Sequence, residues 1–289
     1  MKQVWRSLYV ISLAMGCATL SVFSKIQPAS TTPSLMLESS VPVNVAQTID
    51  FGRHFEDLGV EGAIMIYAAN GDRIYQHNPQ RNQTAFSPAS TFKILNSLIS
   101  LETGVISNEI AILTWDGISR QFPVWNQDLN MRQAFRFSGV WFYQVLARRV
   151  GYERMQEWVT KVGYGNQEIG SPEDIDQFWL GRELKITPQE QIQFLRRLYN
   201  NNLPFSERSL SIVKDIMIVE QTPDYTIRAK TGWATSREEA TQQIGWYVGY
   251  LEKGKDVYFF ATNIDIRDEK ELAARAEVTR RCFKELGLL

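Results

Sequence analysis

Ser90-Thr91-Phe92-Lys93 sets a hydroxyl and an amine three residues apart, directly after Pro88-Ala89 and at the head of an apolar run. Leu95, Leu98, Ile99 and Leu101 follow at helical spacing, and Thr103-Gly104 supplies a stop. The pattern predicts a buried helix with Ser90 in its first turn. Positions i and i+3 share a helix face, so the two groups can meet. A serine attacks only when something takes its proton, and a lysine can do so only while its amine is neutral. The pair therefore suits acyl transfer through a serine–lysine couple. The motif alone is weakly specific. Ser211-Ile212-Val213-Lys214 repeats the spacing within what reads as an ordinary amphipathic turn, and no chemistry is assigned to it.

Corroboration comes from three stretches further on. Ser138-Gly139-Val140 falls at a helix start, Tyr164-Gly165-Asn166 opens a long irregular segment, and Lys230-Thr231-Gly232-Trp233 ends a predicted strand. Ser-x-Val is common and recurs at Ser39-Ser40-Val41, whereas Lys-Thr-Gly on a strand beside a helix-borne Ser-x-x-Lys is rare. Order and spacing together make the set specific. His54 and His77 lie outside every motif, and with one cysteine left after export they cannot build a zinc site. No metal is therefore expected. Neither a Gly-x-Ser-x-Gly elbow nor a phosphate loop occurs.

The elements that must position these residues are legible in outline. A first amphipathic helix is expected over 46–58, then a strand over 62–69. Asn70-Gly71 marks a hairpin into a return strand at 73–76. The stretch from Trp115 to Asn126 is irregular, and its aromatics are expected to fold back as core. Helical periodicity returns over 131–137, 141–150 and 154–162. Residues 163–184 then form a long loop, a class that is usually functional or disordered. Thr187-Pro188-Gln189-Glu190 opens another helix with an N-cap, a first-position proline and a third-position carboxylate. A helix over 207–219 precedes strands at 225–230, 243–251 and 255–263, and a closing helix spans 271–286. Strands at both ends and helices in the middle imply an α+β fold, an antiparallel sheet flanked by helices plus a helical lobe.

The chain of 289 residues is 44% hydrophobic and carries a formal net charge of −1. That balance makes no electrostatic case for nucleic acid or acidic membranes. The N-terminus is short and basic, Leu8 to Phe23 is apolar or small, and a Pro/Ser/Thr-rich segment follows. This reads as a signal peptide over 1–24, a disordered spacer over 25–45 and a folded domain over 46–289. The apolar run of about 16 residues is short of the roughly 20 a membrane span needs. The domain is thus expected in the periplasm, free of the membrane after cleavage. Gly16-Cys17 offers a lipid-attachment alternative, but Ala14 makes a weak lipobox. Export leaves Cys282 alone, so no intrachain disulfide is expected.

The motif set resembles the penicilloyl serine transferase superfamily, and within it the class D serine β-lactamases, the oxacillinases. Pro88 to Lys93, Trp115-Asp116-Gly117, Tyr143-Gln144, Phe178-Trp179-Leu180, Lys185-Ile186-Thr187-Pro188 and Gly245-Trp246 all resemble that family, from about residue 60 to the C-terminus. The resemblance implies the serine β-lactamase/transpeptidase fold and hydrolysis of a β-lactam through a Ser90 acyl-enzyme, conferring antibiotic resistance. It also implies that Lys93 is carbamylated by CO2 or bicarbonate to N6-carboxylysine, which serves as general base, with no free cofactor. Val140, Trp179 and Leu180 would line the carbamate pocket, and Phe92 and Phe137 would add apolar surface. Tryptophan is a donor only, so Trp179 would give its indole N–H to the carbamate.

Further roles follow from the same resemblance. Ser138 would relay a proton to the β-lactam nitrogen, with Lys230 beside it. Lys230, Thr231 and Arg275 would bind the substrate carboxylate, although Arg275 also reads as a surface arginine on a charged helix. Gly232 would let the substrate approach the strand. The backbone N–H groups of Ser90 and Trp233 would form an oxyanion hole. Three positions depart from the usual pattern: Leu95 and Trp141 where proline is common, and Gly139 where alanine or valine is. A penicillin-binding peptidase would normally keep asparagine at position 140. A β-lactam sensor would normally carry membrane helices and a cytoplasmic effector. Substrate preference and the choice between monomer and homodimer are open at this stage.

Overall fold

The computed structural model describes residues 49–235 and 243–289, which fall in one compact unit. The expected signal peptide (1–24), the spacer (25–45) and the start of the folded domain at 46 lie outside these residues. A short helix α1 (Gly52–Asp57) leads into strands β1 (Gly62–Ala68) and β2 (Arg73–His77). The hairpin forms where Asn70-Gly71 marks it, but through a four-residue loop whose left-handed backbone falls at Gly71 and Asp72, one position later than a two-residue Asn-Gly turn would place it. Next come α2 (Lys93–Glu102), a two-residue strand β3 (Ile112–Leu113) and its partner β4 (Leu129–Asn130). Helices α3 (Met131–Arg136), α4 (Val140–Val150), α5 (Tyr152–Val162), α6 (Pro188–Tyr199) and α7 (Glu207–Ile216) make up the lobe. The chain closes with β5 (Ile218–Gln221), β6 (Thr226–Thr235), β7 (Gln243–Lys253), β8 (Asp256–Ile266) and α8 (Ala274–Glu285).

Six strands form one antiparallel sheet in the order β2-β1-β8-β7-β6-β5. Apolar side chains cover both faces. On one face Trp246, Val248 and Phe259 pack against the helical lobe, and on the other Ile64, Ile66 and Phe260 pack against Phe55 of α1 and Phe283 of α8. Alternation along β6 follows from the period of two. It sends Ala229 and Trp233 to the α8 side and turns Lys230 and Gly232 toward the lobe.

Several sequence expectations shift. Ser90 is not in an α-helix: Ala89–Phe92 form a 3₁₀ turn, and α2 begins only at Lys93. The expected 207–219 helix stops at Ile216, because Met217 accepts a hydrogen bond from the Ala229 N–H and Ile218–Gln221 join the sheet edge. The Lys-Thr-Gly stretch lies within β6 rather than at its end. Residues 115–126 do not become full core; Trp115 and Trp125 stay half-buried while Val124 is exposed. Thr187 caps α6 in a reciprocal box with Glu190, as its sequence predicts. Both histidines are structural: His54 pairs with Glu285, and His77 stacks on Phe55. Cys282 is free and buried.

Candidate active site

The 3₁₀ turn explains how Ser90 and Lys93 meet. At three residues per turn, side chains at i and i+3 eclipse, and Lys93 Nζ donates to Ser90 Oγ at 2.7 Å. Left-handed backbone at Ala89 (φ +49) aims the turn, an uncommon conformation for a residue with a Cβ. Lys93 is wholly buried, its amine 5.4 Å from the centre of the Tyr143 ring, whose hydroxyl bonds Ser97. Loss of hydration brings the Lys93 pKa from the usual 10.5 down to about 7. Near neutral pH a large share of this amine is therefore uncharged.

Ser138 sits between α3 and α4, with φ +57. It accepts a hydrogen bond from Lys230 Nζ, which also donates to the Thr231 carbonyl at 3.0 Å. Lys230 is buried, and its pKa lies well below the usual lysine value, first through desolvation and then through repulsion from Lys93 and Arg275. Arg275, from the α8 side, donates Nη1 to the Gly232 carbonyl at 3.1 Å and leaves its buried Nε unpaired. Desolvation lowers it to about 10.

Ser90, Ser138, Val140, Leu180 and Arg275 line one cavity of about 270 Å³ with Thr231, Gly232 and Trp233. Lys93 and Lys230 stand behind that surface, each hydrogen-bonded to a serine that reaches it. Trp179 is also behind it: its ring stacks on Phe92 at 5.5 Å, and its buried indole N–H has no partner. Tyr164 packs edge-on against Phe92 instead of facing the cavity. Packing by itself calls for glycine at 232. A Cβ there would meet the Pro88 carbonyl at 3.1 Å and Thr91 Cγ2 at 3.2 Å, so its bareness lets β6 close on the Ala89–Phe92 turn.

An aromatic wall went unread in the sequence. Phe122 and Trp125 line the same cavity beside Phe137. Trp125 donates its indole N–H to the Phe137 carbonyl at 2.8 Å, and Trp141 donates its own to the Trp125 carbonyl at 2.7 Å. Trp141, the departure from proline, thus ties the wall to α4. The available signal was an aperiodic stretch dense in aromatics. A second cavity of about 590 Å³, which Lys230 lines, shares Arg136 and Thr231 with the first.

This geometry has close relatives. The penicillin binding protein transpeptidase domain family matches residues 62–284. Beta-lactamase OXA-5 of Pseudomonas aeruginosa is 38% identical, with 85% of this chain and 91% of that one aligned. Beta-lactamase OXA-48 of Klebsiella pneumoniae is 41% identical, over 80% and 86%. Among solved structures, the class D β-lactamase YbXI from Nostoc is 61% identical with a TM-score of 0.81, covering 83% of this chain and 100% of that one. The transpeptidase fold class is thereby established. Within it, the chain belongs to the class D β-lactamase family of enzymes.

Proposed function

We propose that this protein hydrolyses the amide bond of β-lactams through a Ser90 acyl-enzyme, with a carbamate on Lys93 as general base. One observation carries the proposal: a fully buried Lys93 bonded to Ser90 Oγ at 2.7 Å, with its pKa brought to about 7. A neutral amine is the form that reacts with CO2. The unpaired, buried Trp179 indole N–H supports the modification, because a donor without a partner is costly and a carbamate oxygen would accept from it. When present, the carbamate supplies an anionic base beside a hydroxyl.

The remaining residues take roles that fit their positions. Ser90 Oγ bonds to the lactam carbonyl carbon while the lactam C–N bond breaks. Ser138, backed by Lys230, passes a proton to the departing nitrogen. The backbone N–H groups of Ser90 and Trp233 stabilise the oxyanion, an effect typically worth about 3 kcal/mol for one donor. Thr231 and the guanidinium of Arg275 receive the substrate carboxylate, for which a planar bidentate donor is suited. Water then cleaves the ester. We place this chemistry in the periplasm, reached by export, where it would protect the cell from β-lactams.

Intact mass followed in time, with benzylpenicillin and with or without bicarbonate, tests the reading. A transient Ser90 adduct with complete hydrolysis, faster in bicarbonate, is expected. A long-lived adduct with little turnover in bicarbonate would instead indicate a sensor or peptidase, and no adduct would remove Ser90 from the mechanism.

A further inference from the structure

Ser87 lies outside every motif read in the sequence, yet it is buried (5% exposed) and uses its hydroxyl twice across the fold. It donates to the Trp179 carbonyl at 2.9 Å and accepts from the Gly181 N–H at 2.8 Å. Its own carbonyl receives the Trp246 indole N–H at 2.8 Å. A hydroxyl has one proton and two lone pairs, so one side chain satisfies both backbone groups flanking Leu180. Next door, Phe86 and Ile186 exchange two backbone hydrogen bonds. Those would form with any residue but proline at 86. The Ser87 pair depends on the side chain.

The segment held this way is largely irregular, and its other side-chain ties, among them Asn166 to Glu183 and Lys185, Arg182 to Asp174 and Gln144 to the Asp176 carbonyl, lie outside residues 179–181. Residues 163–186 contain only a three-residue 3₁₀ turn, Pro172–Asp174. Gly181 adopts φ +82 so near β6 that a Cβ would come within 2.2 Å of the Thr235 carbonyl. Trp179 and Phe178 both pack on Phe92, the last residue of the nucleophile turn and the neighbour of Lys93. Aromatic stacking sets the height of the Trp179 ring but leaves it free to slide. Hydrogen bonds to the backbone on both sides of Leu180 set the register.

We propose that Ser87 is a positioning residue: it pins the Trp179–Gly181 backbone to the nucleophile turn, and so keeps the Trp179 indole N–H and the dry pocket around Lys93 in place. This rests on the reading of Lys93 as the carbamylated base. Without the clamp, the loop rises, water reaches Lys93, and the donor that would hold the carbamate is no longer aimed.

The test uses Ser87→Cys, which keeps the shape but replaces strong hydrogen bonds with weak ones, and Ser87→Thr, which keeps the hydroxyl. Hydrogen exchange of the Gly181 amide and the Trp179 indole is read beside the bicarbonate concentration giving half-maximal kcat. In Ser87→Cys both exchange rates and the bicarbonate requirement should rise tenfold or more. Exchange in β8 should be unchanged, and Ser87→Thr should recover most of the loss. In a Trp179→Phe background the cysteine should add little to the bicarbonate requirement, since the two act through one contact. Unchanged exchange would overturn the clamp. Faster exchange with an unaltered bicarbonate requirement would reduce Ser87 to a structural residue. A wild-type enzyme indifferent to bicarbonate would fell the Lys93 reading and this extension of it, an outcome separate from either failure in the variants.

Discussion

Replacing Lys93 with methionine removes an amine that the fold desolvates and keeps a side chain of similar length and apolar stem. The unfolded chain holds the lysine proton to about 10.5, whereas the folded protein releases it near 7. Between those values the unfolded state binds more protons, so wild-type stability rises with pH across the window and gains nothing further above it. At about 1.4 kcal/mol per pH unit, the buried amine costs roughly 4 kcal/mol at pH 7 and roughly 2 kcal/mol at pH 9. The substitution also strips the donor from Ser90 Oγ, a loss of about 1 kcal/mol. Lys93→Met should therefore stabilise the protein by roughly 3 kcal/mol at pH 7 and by about 1 kcal/mol at pH 9, while abolishing turnover. For a domain of this size each kcal/mol is worth about 2–4 °C, so the Tm gain near neutrality should be roughly 6–12 °C.

Urea titration and calorimetry in CO2-depleted buffer read this directly. Depletion matters because a carbamylated lysine no longer titrates as an amine. The informative quantity is the slope of the gain against pH, which cavity or packing changes would leave flat. A variant less stable than wild type at pH 7, or a gain equal at pH 7 and 9, would refute the claim that Lys93 is held neutral by desolvation.

Two further substitutions probe how the site is closed. Gly232→Ala places a methyl against the Pro88 carbonyl, Thr91 and Trp246; we expect a stability loss of about 1–3 kcal/mol and, because β6 is pushed off the nucleophile turn, a fall in kcat of about 100-fold, measured by denaturation and steady-state kinetics. Trp141→Phe removes the N–H that holds the Trp125 carbonyl; KM for β-lactams with bulky side chains should rise several-fold while kcat for small ones is kept, and equal changes for both would show that the aromatic wall does not read the side chain.

How much of this was legible in the sequence depends on the distance over which each feature is decided. The α6 start was readable because Thr187, Pro188 and Glu190 settle it among themselves. The β1–β2 hairpin was readable from Asn70-Gly71 for the same reason. The end of α7 was not: Ile216 to Val219 is an apolar run that suits helix or strand, and a partner on β6 decides it. Trp125 and Phe122 carry no period at all, and contacts with distant residues give them a place: Trp125 bonds to the Phe137 carbonyl, Trp141 bonds to the Trp125 carbonyl, and the two rings pack at a tilt. Ser87 had no signal whatever, since both its partners lie more than 90 residues away.

The two Ser-x-x-Lys copies isolate the part that spacing cannot encode. Ser211 and Lys214 have the same separation as Ser90 and Lys93, but they lie on the outer part of α7, with Ser211 exposed and Lys214 Nζ donating to Asn201 at 2.7 Å. Ser90 and Lys93 instead span a 3₁₀ turn and the first residue of α2, which α4 and the 163–186 loop bury, bringing Tyr143, Phe178 and Trp179 around them. Spacing brings an amine to a hydroxyl; desolvation makes that amine neutral. The second property comes from residues 50 to 90 positions downstream, which is why Lys93 and not Lys214 has its pKa brought to about 7. A nucleophile of this kind is therefore a property of the closed lobe, and any change that lets water under Trp179 should disable Ser90 without touching either residue of the pair.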